Sequence, residues 1–203
     1  MIFSSIQGVG VFTLRRRSDM ARVPYVEPKA AQGRMGEMLA KMEAGGVQVL
    51  NLYRALAHAP EVGDAFIRMG NRILFKGLLP ARARELAILL VGQLAQAPYE
   101  FSKHTDIGLE CGMSAEEIAA LGFWRTSSLF SEADRAVLAY TEEVSRGYRA
   151  SDATFAEVRR HLDEGQTVEL SIVIGYYEMV CRVLESLQVE LEDEPFVTMG
   201  KTT

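Results

Sequence analysis

Cysteine and histidine are scarce in this 203-residue chain, which has two of the first and three of the second. Cys111 and Cys181 stand seventy residues apart, so the sequence has no C-x-x-C redox pair and no Cys/His cluster at metal-ligand spacing. Isolated thiols of this kind suit a reducing cytoplasm, where cysteine serves as a small buried side chain. Positive charge is in deficit: 22 Lys and Arg against 27 Asp and Glu give a net charge of −5 and a sequence pI of about 5.3. That balance argues against nucleic-acid or anionic-membrane partners, which require basic surface to meet phosphate. Long apolar runs are missing too. Ile2 to Leu14 is apolar but broken by Gly8 and Gly10, and falls well short of a membrane span. The basic run Arg15–Arg17 follows it rather than preceding it, the wrong order for a secretory signal. Period-two alternation is absent, which excludes an ordinary half-buried sheet.

What remains is a composition of 48% hydrophobic and 24% charged residues, enough for one sizeable core. The expected organisation is a flexible N-terminal extension over 1–30, a helical domain over 31–190 and an acidic tail over 191–203. Met20, just ahead of Ala21–Arg22–Val23–Pro24, is a candidate native start. From Met35 onward the pattern is helical. Helices are predicted over Met35–Met42, Val47–Ala57, a segment opened by Pro60 and ended at Gly77–Pro80, Ala81–Gln96 and Tyr99–Glu110. Ser114 with Glu117 forms a capping box, and Ser131 caps a helix running to Arg146. A helix from Ser151 or Asp152 to Leu162 and a last one over Gln166–Leu187 complete an all-α bundle. In the third helix Val62, Phe66, Met69, Ile73 and Leu74 are expected on the packed side. Ala81–Gln96 is apolar nearly all round, which places it at the bundle centre.

Three polar residues interrupt these apolar helices. Glu85 lies in the first turns of the central one, and at about 100° per residue Gly92 and Gln96 fall within roughly 20° of its direction. Glycine there predicts space beside the acid. Glu100 and His104 are four apart and share a helix face. If Glu85 turns into the same hollow, two carboxylates and an imidazole stand ready for acid–base work on a small molecule, and burial should raise the carboxylate pKa values. The alternatives are an exposed Glu100–His104 pair and a Glu85 that pairs with Arg82 or Arg84. His58 and His161 read as surface or capping residues, and Met35, Met38 and Met42 as packing. No metal is expected, because the paired E-x-x-H motifs of di-iron bundles are absent.

The runs Pro80–Leu89, Ala97–His104 and Gly112–Ile118 together resemble the carboxymuconolactone decarboxylase family, which includes alkylhydroperoxidase D. Asn51–Pro60 and the helix around Tyr176–Tyr177–Glu178 fit its longer members. The resemblance covers about residues 35–190. It implies an all-helical, alkylhydroperoxidase D-like bundle that forms homo-oligomers (dimer, trimer or hexamer), with pockets near subunit contacts. In the peroxidase branch a glutamate is followed at +12 and +15 by two cysteines and at +19 by a histidine. Placed on this chain, those positions are Glu85, Ala97, Glu100 and His104, so both sulfurs are missing.

The decarboxylase branch needs no organic cofactor and implies a lyase or isomerase acting on a small unsaturated acid or lactone. In that reading His104 is the acid–base residue, Glu100 adjusts it and Glu85 relays or accepts a proton. Tyr99 and Gln96 would contact the substrate. The other functions left open are alkylhydroperoxidase-like antioxidant activity and non-catalytic binding of a small molecule.

Overall fold

The computed structural model describes residues 21–192. The basic run at Arg15–Arg17, the Met20 start and the tail from 193 onward lie outside the described residues. Among those described, nine α-helices and two short 3-10 turns occur and no strand. The chain divides into two compact units.

One unit includes residues 21–76 and 184–192. It holds α1 (Gly33–Ala44), α2 (Asn51–Leu56) and α3 (Pro60–Lys76), α3 opening on the proline the sequence offers. Met35 and Leu39 are fully buried and pack with Ala57 and Ile67, while Met38 and Met42 cover the same cluster. The packed side of α3 keeps Ile73 and partly buried Phe66 from the expected set but shifts by one position at Val62 and Met69. Gly63, Ile67, Gly70 and Ile73 are buried, whereas Val62 is 70% exposed and Met69 is also exposed. The glycines explain the shift: a Cβ on Gly63 would stand 2.7 Å from the Leu56 carbonyl oxygen, so bare backbone is what lets α2 approach. Arg22 N–H donates to the Leu187 carbonyl and Asn51 N–H to Glu192. Exposed His58 meets the Pro24 carbonyl through Nε2 at 2.8 Å.

The other unit spans Gly77–Val183 and positions the site. It contains α4 (Ala81–Leu94), α5 (Pro98–Glu110), α6 (Ala115–Ala120), α7 (Glu132–Gly147) and α8 (Asp152–Val158). It also holds α9 (Glu164–Leu187) as far as Val183. Leu86 to Val91 of α4 are buried on every side, held between α5 and α7. Each such aliphatic side chain contributes about 1.5–3 kcal/mol on burial. The predicted Ser114–Glu117 capping box forms on α6, and the predicted Ser131 cap on α7 is completed into a second box by Asp134. Arg82 ties these helix starts to α4 by bonding both Glu117 and Asp134. α8 is one turn shorter than expected, and Phe155 on it is partly exposed while Val158 and Leu162 are buried.

α4 and α5 are joined by a turn of three residues. Gln96 takes a left-handed conformation (φ 52°), and the Ala97 N–H reaches back to the Gly92 carbonyl at 2.9 Å. This is a Schellman closure, after which Pro98 opens α5. At Gly92 the two helices touch, since a Cβ there would lie 3.4 Å from the Phe101 backbone nitrogen.

Candidate active site

This helical hairpin brings Glu85 of α4 together with Glu100 and His104 of α5. His104 Nδ1 lies 2.7 Å from Glu85 Oε2, and Nε2 lies 3.0 Å from Glu100 Oε1. The three side chains are almost wholly buried, Glu85 at 0%, Glu100 at 4% and His104 at 5% exposure. The exposed-pair alternative for Glu100 and His104 is therefore not what the structure has. Arg84 Nε donates to the remaining Glu85 oxygen at 2.8 Å, whereas Arg82 is engaged elsewhere.

Both imidazole nitrogens face carboxylate oxygens, and a carboxylate can only accept. The ring must therefore donate from both sides, which requires the imidazolium. Burial alone would push its pKa down, but the Glu85 charge and the hydrogen bonds to Glu100 and Glu85 outweigh that and hold His104 up at about 10. Glu85 runs against the expectation of a raised carboxylate. Burial does push it up, yet the charges and hydrogen bonds of His104 and Arg84 bring it below the ordinary value. Arg84, His104, Glu85 and Glu100 sum to zero charge, which makes burial of four ionic groups tolerable.

Two expectations about the surroundings are corrected. Gly92 leaves no space beside the acid, because the Phe101 backbone fills it. Gln96 does not align with Glu85: α4 ends at Leu94, the left-handed turn carries Gln96 off the helix, and it is exposed. Tyr99 is buried, with Lys103 Nζ lying 5.7 Å from the centre of its ring. The imidazole is also less open than an acid–base residue facing substrate would be, since neither nitrogen is left over. Of the two Glu100 oxygens, Oε1 takes His104.

Tyr177 on α9 is a neighbour that the sequence reading did not single out. Its ring meets the His104 imidazole edge-on, with centroids 4.9 Å apart and planes at 85°. It is 3% exposed. Burial, with the Glu100 and Glu85 charges, lifts its hydroxyl well above the ordinary tyrosine pKa, so it stays a donor. The only signal for it in sequence is a polar tip in an otherwise apolar helix. Cys111, at the end of α5, is half-buried. Burial and the Glu85 charge raise its thiol, the opposite of an activated thiolate. Among the described residues no group of three His, Cys, Asp or Glu side chains could hold a metal ion, and no helix is long and apolar enough to cross a membrane.

Comparison with known proteins agrees with this architecture. Residues 60–143 match the carboxymuconolactone decarboxylase family. The chain is 28% identical over 94 residues to the uncharacterized protein YdfG of Bacillus subtilis (strain 168). That match covers 45% of this chain and 64% of the relative, so the chain spans under two thirds of that protein's length. An uncharacterized peroxidase-related protein from Ralstonia eutropha JMP134, with an alkylhydroperoxidase AhpD core, shares the fold at a TM-score of 0.73 and 19% identity. The superposition covers 85% of this chain and 93% of that one. The debrominase Bmp8, solved with 2,3,4-tribromopyrrole, aligns at a TM-score of 0.64 and 19% identity over 75% of this chain and 82% of its own. Residues 60–143 therefore resemble the carboxymuconolactone decarboxylase family, and the fold is one shared with an alkylhydroperoxidase AhpD core.

Proposed function

We propose that the protein is a cofactor-independent acid–base catalyst of the lyase or isomerase type, acting on a small unsaturated acid or lactone. The observation that supports this most is the imidazolium of His104 clamped between two buried carboxylates. As a carboxylate, Glu100 can take a proton from a carbon next to a carbonyl. Its partner His104 can hand it the Nε2 proton, turning Glu100 into an acid while the neutral ring keeps its Nδ1–H on Glu85. The same group thus serves as base and as acid, with the proton stored one bond away. The imidazolium and Arg84 put positive charge beside a developing enolate. Glu85, with both oxygens engaged, orients the ring. In this assignment His104 acts through Glu100 rather than on the substrate directly.

The test is turnover across a panel of unsaturated lactones and muconate-type acids, followed by ultraviolet absorbance. Glu100→Gln and His104→Gln should each lower kcat/KM by about 100-fold or more, with helix content unchanged. Activity that survives both substitutions removes the proposal. The chain is also proposed to act in the cytoplasm as a homo-oligomer. Val168, Ile172 and Met179 leave an apolar stripe exposed along α9 that a second copy would cover, and native mass spectrometry reads the copy number.

A further inference from the structure

Resting on the homo-oligomer reading, we propose that α9 packs antiparallel against α9 of a second copy about a twofold axis, with Ile172 of each copy seated over Gly175 of the other.

Three observations carry this. The first is the stripe. Val168, Ile172 and Met179 are 61%, 43% and 41% exposed, and Gly175 is exposed between them. Alternating steps of four and three residues put all four within about 60° of arc, the spacing of a two-helix seam. This side of α9 lies opposite the buried Val173, Tyr177 and Val180.

The second observation is the glycine. Gly63 is bare because the Leu56 backbone crowds it, but a Cβ on Gly175 would meet nothing within 4 Å. Glycine weakens a helix interior relative to alanine, and nothing among the described residues needs the side chain absent at 175. A second helix does need it absent, because the notch admits an isoleucine from across the seam. In the antiparallel register that puts Ile172 over Gly175, Val168 falls opposite Met179. Every apolar position of the stripe is then covered.

The third observation is charge. The same register brings Arg182 of one copy beside Glu164 of the other, on the same edge of the seam. Their side chains are 63% and 87% exposed. Arg182 already pairs with Glu178, and Glu164 with Arg159, so the signs alternate along that edge as Glu178, Arg182, Glu164 and Arg159. A parallel pair would set Arg182 against Arg182 and Glu164 against Glu164. Charge therefore selects the antiparallel arrangement, and a self-complementary face of this kind closes as a dimer instead of growing into a filament. The seam lies behind the turn of α9 that carries Tyr177 to His104, so the second copy backs the candidate site without entering it.

The test uses the full chain. Val168→Cys and Met179→Cys proteins are made separately, and a short bismaleimide is added to each alone and to the two co-expressed. In the antiparallel pair, position 168 of one copy neighbours 179 of the other. Identical positions are separated by eleven residues of helix rise, about 17 Å. A cross-linked dimer should therefore form only with the two together, above the wild-type background set by Cys111 and Cys181. Gly175→Leu fills the notch yet favours the helix, so it should stay folded by circular dichroism while dimer affinity falls roughly thirtyfold or more. Ile172→Asp should do the same, and Val62→Asp, which removes an exposed valine of α3, should leave affinity unchanged. A wild-type monomer in native mass spectrometry overturns this assignment and the homo-oligomer reading together. An oligomer that cross-links in either single-cysteine protein alone, that fails to cross-link, or that Gly175→Leu leaves intact overturns the α9 pairing and leaves the homo-oligomer reading standing.

Discussion

Replacing His104 by glutamine removes the one positive charge that both buried carboxylates share, and the cost should depend on pH in a way no surface histidine would show. In the unfolded chain the imidazole titrates near its ordinary 6.5, and in the folded protein it is held up at about 10. A group whose folded pKa is raised stabilises the fold fully below the unfolded value, and that stability is lost as pH rises through the folded one. At about 1.36 kcal/mol per pH unit, the interval from about 6.5 to about 10 corresponds to on the order of 5 kcal/mol, a large share of a domain's typical total of about 5–15 kcal/mol. Urea unfolding followed by far-ultraviolet circular dichroism, at steps from about pH 6 to about pH 10.5, measures it. The gap in unfolding free energy between wild type and His104→Gln should be widest near pH 6 and close above pH 10. Titration of exposed tyrosines and lysines is common to both proteins and cancels in the difference. A gap that has already closed by about pH 7.5, or one that does not vary with pH, would refute the clamped imidazolium.

The remaining expectations concern other parts of the fold. Because Glu85 is held below its ordinary pKa by His104 and Arg84, its contribution is present above about pH 4.5 and fades as pH falls through the folded value. Acid unfolding of Glu85→Gln should accordingly be shallower than that of wild type. Leu89→Ala empties a fully buried position and should cost about 2–5 kcal/mol in chemical denaturation. Gly63→Ala forces a methyl group against the Leu56 carbonyl and should cost about 1–3 kcal/mol, read in the same assay. Hydroperoxide consumption coupled to a dithiol should be no faster with the protein than without it, since a raised, lone Cys111 is a poor nucleophile. Dithiol-dependent turnover that Cys111→Ser abolishes would contradict this.

Most of the fold is written in local signals. Pro60 and Pro98 start helices, Ser114 and Ser131 cap them, and the all-round apolar run Leu86–Val91 marks the centre. The Glu100–His104 pair was equally legible, because i,i+4 spacing alone makes the two neighbours. The rest depends on backbone geometry that side-chain patterns do not carry. Glu85 reaches the far nitrogen of His104 only because the turn at Gln96 folds α5 back along α4. That turn uses glutamine where glycine or asparagine is the usual sign. The direction of the Glu85 pKa was misjudged because the charges and hydrogen bonds of His104, and after it Arg84, outweigh burial; Arg84 faces Glu85 although adjacent helical residues ordinarily do not face each other. The long Arg84 side chain does so by folding back. The packed face of α3 was misplaced in part, at Val62 and Met69, for a related reason: the glycines beside them score as absence in a hydrophobic pattern. Tyr177 was passed over because its helix reads as core throughout, and its meeting with His104 is purely tertiary.

The account turns on the protonation of one ring, and nitrogen-15 NMR of protein labelled at the histidine imidazole observes it directly. At about pH 8, where an ordinary histidine is largely neutral, His104 should show both ring nitrogens protonated and hydrogen-bonded. In Glu100→Gln its Nε2 signal should shift while Nδ1, facing Glu85, changes little. A neutral His104 at that pH, with a single protonated nitrogen, would contradict the imidazolium clamp and the proton store built on it.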